Sequence, residues 1–299
     1  MRCPELILTV ALVLAPLDCL AQTLASDFYR LNREELLPFA EQGIAEAQYR
    51  LARDYHVSGQ DDRFAQAEKW YRLAAVQGHA GAQYDLGLMY RRGQIPPSPE
   101  GNWLGQIVRN ILGKHSSNAD HIAAFKWFNV AADQGHVHAQ YLLGQSYEAG
   151  LGVDQDYDQA IEWYLRASEG GEDDPQYNSA ANNARSALGA MYESGRGVPQ
   201  DFEQAAKWYQ KGFGNPDAIF NLALMYRDGR GVPRDLVLAY EFMYPFSQGA
   251  SVTLMGPSKK IVWELEREMT MEQIKEALQR VEDCKDTRLY GRSPDCEFR

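Results

Sequence analysis

One short pattern recurs five times along the chain, and it constrains the fold more than any other feature. The pattern is an alanine, then leucine followed by glycine or alanine, then a tyrosine four residues after the leucine, and then a glycine. Self-similarity at intervals of a few tens of residues indicates a repeat architecture in which each unit packs against its neighbours. The leucine and small-residue pairs are Leu51-Ala52, Leu86-Gly87, Leu143-Gly144, Leu188-Gly189 and Leu222-Ala223.

A second pattern follows each copy of the first, and its centre is an aromatic pair. Both patterns place apolar residues at i, i+3, i+4 and i+7, which predicts helices with one buried stripe. Small residues on the first helix allow close approach, and the large aromatic residues of the second helix fill the space. The pairs are Trp70-Tyr71, Trp127-Phe128, Trp163-Tyr164, Trp208-Tyr209 and the degraded Phe242-Met243.

The turns between these helices are also regular. A Gly-x-Gly-Val turn follows the first helix, and its first glycine suits a left-handed helix C-cap. An aspartate then stands where it can cap the second helix, and Gln-Gly closes that helix in four places. His79 and His136 follow two of these Gln-Gly pairs at the same repeat position, which favours a structural role over a metal site. The turn glycines are Gly150, Gly195 and Gly229, and the aspartates are Asp156, Asp201 and Asp235.

This unit resembles the Sel-1-like repeat, a relative of the tetratricopeptide repeat. The resemblance covers roughly residues 36–249 and implies a right-handed α-solenoid whose first helices line a concave surface. It also implies scaffold and adaptor roles, often in the bacterial envelope. Exported members are similar to polysaccharide-secretion scaffolds and to periplasmic immunity proteins that neutralise type VI secretion effectors such as phospholipases. The matching residues are Gln134-Gly135, Ala139-Gln140, Leu143-Gly144, Tyr147, Gly150-Leu151-Gly152-Val153 and Trp163-Tyr164.

We therefore expect an all-α solenoid of about five helix-turn-helix repeats over residues 44–249. A capping helix is expected within 22–43, and capping helices with a disulfide tail within 250–299, where Thr270 and Gln273 form a capping box. An insertion at 94–119 interrupts the second repeat. Its apolar stripe either packs back on the solenoid or binds a partner, and the sequence leaves both open. The stripe contains Trp103, Ile107 and Ile111.

Residues 1–21 have the layout of a cleavable secretory signal, with Arg2 before an apolar run and a cleavage site after Ala21. The alternatives are an uncleaved anchor, although the run is shorter than the roughly 20 residues that span a bilayer, and a lipoprotein with Cys19 as the lipidated residue. Export predicts a periplasmic protein. In that compartment, Cys284 and Cys296 predict a disulfide, with metal binding as the alternative.

The net charge of −11 argues against nucleic acid as a partner. No segment after the signal is long and apolar enough to span a membrane. The sequence has no metalloprotease helix, nucleophile elbow, phosphate-binding loop or penicillin-binding motif set. We therefore expect no catalysis, no cofactor and no metal, with a β-lactamase-like or cell-wall-active enzyme as the less favoured alternative.

Function is then expected from protein binding along the first helices. The favoured roles are an immunity protein or an envelope adaptor, and the alternative is a regulator of an envelope sensor. We expect a monomer in the absence of its protein partner. Three rows of variable positions hold aromatic, arginine and other residues typical of interfaces. The first row lies two residues before the repeat leucine, the second two residues after it, and the third one residue after the repeat tyrosine. The candidate residues are Tyr49, Arg53, His56, Tyr84, Leu88, Arg91, Tyr141, Gln145, Glu148, Phe220, Leu224 and Arg227.

Overall fold

The structure, a computed structural model, describes residues 28, 30–59, 62–95, 118–170 and 178–285. Every regular element in those ranges is a helix. The helices are α1 (Arg33–Glu41), α2 (Ala45–Val57), α3 (Arg63–Val76), α4 (Ala80–Arg91), α5 (Asn118–Asp133), α6 (Val137–Ala149), α7 (Tyr157–Glu169), α8 (Asn178–Ser194), α9 (Phe202–Lys211), α10 (Pro216–Asp228), α11 (Leu236–Ser247), α12 (Met255–Glu268) and α13 (Met271–Lys285).

The chain divides into two compact units, Met1–Gln134 and Gly135–Arg299. In the N-terminal unit, α2 packs on α3 and α4 packs on α5, while α1 and α3 also contact the next helix along the chain. In the C-terminal unit the pairs are α6 with α7, α8 with α9 and α10 with α11, and both α12 and α13 pack against α11. These five helix pairs, flanked by extra helices, confirm the predicted all-α solenoid class.

The predicted close approach of small and aromatic residues is present in three pairs. A Cβ atom added to Gly87 would lie 2.6 Å from the ring of Phe128. The same separation of 2.6 Å holds between Gly144 and the ring of Tyr164. Carbon atoms normally pack at about 3.5–4.0 Å, so no side chain fits at these glycines. The same distance recurs between Gly189 and Tyr209.

The predicted caps are also confirmed. Gly150 and Gly229 are left-handed C-caps with φ of 68° and 66°. Each capping aspartate accepts a hydrogen bond from the backbone N–H three residues later, which satisfies a donor at the start of the second helix. The donors to Asp156, Asp201 and Asp235 are the N–H groups of Gln159, Gln204 and Leu238, at 2.9–3.0 Å.

Buried glutamines join successive helices of the N-terminal unit. The Gln48 amide on α2 donates to the carbonyl of Ala40 on α1 at 3.0 Å, and it accepts a 2.7 Å hydrogen bond from Gln77 after α3. The arrangement recurs one repeat later, where Gln134 donates to Gln83 at 2.6 Å. Because a buried amide without partners is costly, these bonds hold three consecutive helices in register.

The capping box that begins α13 is present, with Thr270 and Gln273 exchanging hydrogen bonds of 2.9 and 3.2 Å. No helix in the described ranges is long and apolar enough to cross a membrane. Several predictions lie outside the described residues: the signal at 1–21, the side chain of Cys284, and Cys296. So do the insertion residues Trp103, Ile107 and Ile111.

Candidate partner-binding residues

The twelve predicted first-helix residues lie on α2, α4, α6 and α10, and all are described. Arg53 is exposed, and the other eleven are half-buried. Each compact unit carries its own set, on α2 and α4 in one unit and on α6 and α10 in the other. Half-burial means that these side chains pack within the repeat and also keep part of their surface open to solvent.

The tyrosines of the first row pack on aromatic rings of the repeats. Tyr49 also lies against His79, with ring centroids 4.3 Å apart. Such tilted aromatic pairs stabilise packing beyond the area that they bury. These tyrosines therefore have a structural role in addition to any role in binding. The pairs are Tyr49 with Tyr71 at 6.0 Å, Tyr84 with Phe128 at 6.3 Å and Tyr141 with Tyr164 at 5.9 Å.

The second row is partly engaged with the first. The Arg53 guanidinium lies 5.8 Å from the centre of the Tyr49 ring, and the Gln145 amide donates to the Tyr141 hydroxyl at 2.8 Å. Leu88 is half-buried on α4. The first and second rows are thus in contact on α2 and on α6.

In the last repeat the candidates belong mainly to the core. Phe220 and Leu224 pack against the buried residues of α9 to α13. Arg227 pairs with Asp228 at 2.6 Å and lies 3.5 Å from Glu264. The structure therefore gives all three residues partners inside the C-terminal unit.

Glu148 of the third row is held between two repeats. Its carboxylate accepts a 2.6 Å hydrogen bond from the Tyr164 hydroxyl and pairs with Arg196 at 2.7 Å. Burial, with this carboxylate beside it, raises the pKa of Tyr164 well above its ordinary value. Arg196 belongs to the glycine turn of the next repeat, so Glu148 joins successive repeats. The equivalent Glu193 accepts from the Tyr209 hydroxyl at 2.8 Å and lies 3.4 Å from Arg230.

The type of residue in the third row depends on the second residue of the aromatic pair in the same repeat. Where the pair ends in tyrosine, the row holds an acceptor, as with His56, whose Nδ1 lies 3.5 Å from the Tyr71 hydroxyl. Where the pair ends in phenylalanine or methionine, there is no hydroxyl, and the row holds Arg91 or Arg227. Comparison of the two repeated patterns would have revealed this dependence from sequence. The acceptors of the third row are therefore set largely by packing within their own repeats.

Sequence reasoning missed Asp85, a charged residue on α4 next to the first row. Burial raises the pKa of its carboxyl, while the charges of Arg53 and His56 and hydrogen bonds from the Tyr71 and Tyr49 hydroxyls act in the opposite direction. Burial also lowers the pKa of His56. The available signal in the sequence was an acidic residue within the apolar stripe of a predicted helix. A buried carboxyl group needs hydrogen-bonding or charged partners, so such a position indicates a polar cluster.

We expect Asp85→Asn to gain stability relative to the wild type as pH rises from 4 to 7. A carboxyl whose folded pKa is raised contributes its full stability below its unfolded pKa and loses it as pH rises through the folded pKa. The asparagine amide does not titrate, so the variant does not lose this stability as pH rises. Urea unfolding at both pH values measures the difference.

The control is Asp228→Asn, because Arg227 lowers the pKa of Asp228. Its stability relative to the wild type should therefore fall over the same pH range. If the relative stability of both variants changed in the same direction, the result would contradict the raised pKa of Asp85.

The histidines at the repeat boundaries are helix caps. The Nδ1 atoms of His79 and His136 accept hydrogen bonds from the N–H groups of Ala82 and Ala139 at 3.1 and 3.3 Å. The other ring nitrogen of His79 lies 3.0 Å from a Glu46 carboxylate oxygen. The predicted structural role is confirmed. Among the described residues, no three His, Cys, Asp or Glu side chains are grouped so that they could hold a metal ion.

The profile of the Sel1 repeat family matches this chain at residues 45–79, 80–100, 112–136, 137–172, 183–212 and 216–246. The second and third segments contain α4 and α5, which pack on each other. They are therefore the two halves of one helix pair, separated by the insertion. The six segments thus correspond to the five helix pairs of the structure.

Two curated relatives are fungal regulators. The chain is 30% identical over 149 residues to chitin synthase regulatory factor 3 of Schizosaccharomyces pombe, which is 42% of this chain and 16% of that protein. It is 30% identical over 170 residues to chitin synthase regulator SKT5 of Saccharomyces cerevisiae, which is 49% of this chain and 23% of that protein. The chain thus matches less than a quarter of the length of these relatives.

A crystal structure of a Sel1 repeat protein from Oxalobacter formigenes is similar, with a TM-score of 0.57 and 27% identity. The match covers 77% of this chain and 58% of that one. The family profile itself matches more than half of the present sequence. The chain therefore belongs to the Sel1 repeat family.

Proposed function

We propose that this chain is a non-catalytic protein-binding module that uses the half-buried faces of its first helices. Sel1 repeats suggest an interaction module. The observation that carries the proposal is the set of residues Tyr84, Leu88 and Arg91, which lie on α4 in successive rows and keep part of their surface open. Tyrosine and arginine are enriched at the energetic centres of protein interfaces.

The compartment and partner are further parts of the proposal. The signal predicted at residues 1–21 supports a periplasmic location. The resemblance to exported repeat proteins supports an immunity protein, whose partner is a type VI secretion effector such as a phospholipase, or an envelope adaptor. A cell-wall-active enzyme remains the weakest alternative, and turnover of peptidoglycan or a β-lactam by the purified chain would establish it.

A regulatory role is the second candidate, and the curated relatives favour it. Both are named as regulators of chitin synthase. By analogy, this chain would regulate another envelope protein, such as a sensor, by binding it. Both candidates require the same protein-binding surface, and the identity of the captured partner separates them.

We expect Tyr84→Ala and Tyr141→Ala each to reduce partner capture about thirtyfold or more, because truncation of a hot-spot aromatic residue at an interface costs about 2 kcal/mol or more. Affinity capture from a periplasmic extract, followed by quantitative mass spectrometry, measures the change. The thermal midpoint of each variant shows whether the fold is retained.

Matched controls lie on the second helices. Val76 on α3 and Leu165 on α7 are 74% and 38% exposed, and they lie outside the proposed faces. Val76→Ala and Leu165→Ala should leave capture unchanged. Equal capture by the folded tyrosine variants and the wild type would exclude the first-helix faces.

A further inference from the structure

Trp263 on α12 is exposed although its helix has a buried face. Ile261, Val262 and Leu265 of α12 are buried against the core, whereas Trp263 is 56% exposed. A tryptophan exposes a large apolar surface, and terminal helices of repeat proteins normally present a polar outer face. The exposure of Trp263 is therefore not explained by the capping role of α12.

Two cations flank this tryptophan on the same face of the helix. Lys259 and Arg267 lie four residues before and after Trp263, and both are exposed. Residues spaced by four share a helix face, so the three side chains follow a line about 12 Å long. The Arg267 guanidinium lies 4.8 Å from the centre of the tryptophan ring. We name Lys259, Trp263 and Arg267 the basic stripe.

The carboxylates near the basic stripe are engaged elsewhere. Within the described residues, neither Lys259 nor Arg267 forms an ion pair, and this occurs in a chain with a net charge of −11. An aromatic side chain between two available cations is complementary to a ligand that carries carboxylates. Glu264 lies near Arg227 and Lys260, Glu266 accepts from the Tyr240 hydroxyl, and Glu268 pairs with Arg234.

We propose that the basic stripe binds an acidic segment of a partner protein. Carboxylates of that segment pair with Lys259 and Arg267, and its intervening chain packs on Trp263. This site rests on the binding role proposed above, but it uses a helix outside the repeats and specifies the chemistry of the partner.

A peptide fits the basic stripe better than a lipid surface does. Helices that lie on membranes insert a broad apolar face, with cations on the opposite side. The apolar residues Ile261, Val262 and Leu265 are buried in the protein, so α12 has no such face to insert. Two flanking cations are also far fewer than the phosphate contacts that nucleic-acid binding requires.

The test is a calorimetric titration of the full chain with a peptide that consists of four Glu-Ala repeats. We expect saturable binding that weakens as NaCl rises, because salt screens exposed charges. Trp263→Ala and the double variant Lys259→Glu, Arg267→Glu should each weaken binding about tenfold or more. Lys259 and Arg267 are both exposed, so the charge variant keeps the test valid if Trp263→Ala unfolds.

The control variant is Lys69→Glu in the N-terminal unit. Lys69 also lies over a tryptophan, 4.8 Å from the ring centre of Trp70, but that tryptophan is only 5% exposed. Lys69→Glu should leave peptide affinity unchanged.

The proposal would be overturned by no binding of the glutamate peptide, by equal binding of the matching lysine peptide, or by unchanged affinity in the stripe variants. Binding to phosphatidylglycerol vesicles without binding to the peptide would also overturn it and assign the stripe to a membrane. None of these results affects partner capture through Tyr84 and Tyr141. Conversely, if the first-helix variants kept full partner capture, peptide binding that depends on Trp263 would still support the basic stripe.

Discussion

Replacement of Gly231 by alanine is expected to lower the free energy of unfolding by about 2–5 kcal/mol, as the sum of a left-handed backbone penalty and an overpacking penalty. Gly231 has φ of 69°, and an added Cβ atom would collide with the carbonyl oxygen of Phe202 and lie 2.7 Å from the nitrogen of Glu203. Both contacts are with backbone at the start of α9. No rotamer change can relieve them, so the turn before α11 must move.

Gly150→Ala separates the two contributions. Gly150 has nearly the same φ, 68°, but its nearest neighbour is Cβ of Gln155 at 3.5 Å, which is an ordinary contact. Its replacement should cost only about 1–2 kcal/mol for the left-handed backbone. Urea unfolding of both variants measures the difference. Equal costs would contradict the close approach of the Gly231 turn to α9.

The repeat pattern predicted the helices because local periodicity and capping chemistry determine them. The first glycine of each turn was explained in the same way, since a left-handed cap is a property of a few neighbouring residues. The second glycine was not explained. At Gly231 it is required by Phe202, which lies in the preceding repeat, and at Gly197 an added Cβ atom would lie 2.6 Å from Cβ of Tyr157. Such a constraint depends on how one repeat is placed on another.

The same limit applies to the candidate surface. Position within the repeat correctly placed the twelve residues on first helices, but it could not separate binding residues from packing residues. Glu148 and Arg196 are 48 residues apart in sequence and 2.7 Å apart in the structure. Their pairing follows from the register between two repeats. The exposed Trp263 was also missed, because α12 lies outside the repeat and the periodic comparison gives no expectation there.

A buried arginine replaces the repeat glutamine in the fourth helix pair. Arg185 on α8 is 8% exposed, and its guanidinium donates to the carbonyl of Ser168 at 2.7 Å. Gln48 and Gln83 occupy the equivalent position in earlier repeats, where each donates to a carbonyl of the preceding helix at 3.0 Å. The arginine therefore supplies the same bond from α8 to the end of α7.

Arg185→Met is expected to lower the free energy of unfolding by about 2–3 kcal/mol, because it leaves the buried carbonyl of Ser168 without this donor while it keeps most of the apolar volume. Arg185→Gln should recover at least half of that loss, since its amide can reach the carbonyl as Gln48 does. Urea unfolding of the two variants gives both values. If glutamine costs as much as methionine, the contribution of Arg185 comes from its other contacts, such as the 3.2 Å bond to Asn182, and not from the repeat hydrogen bond.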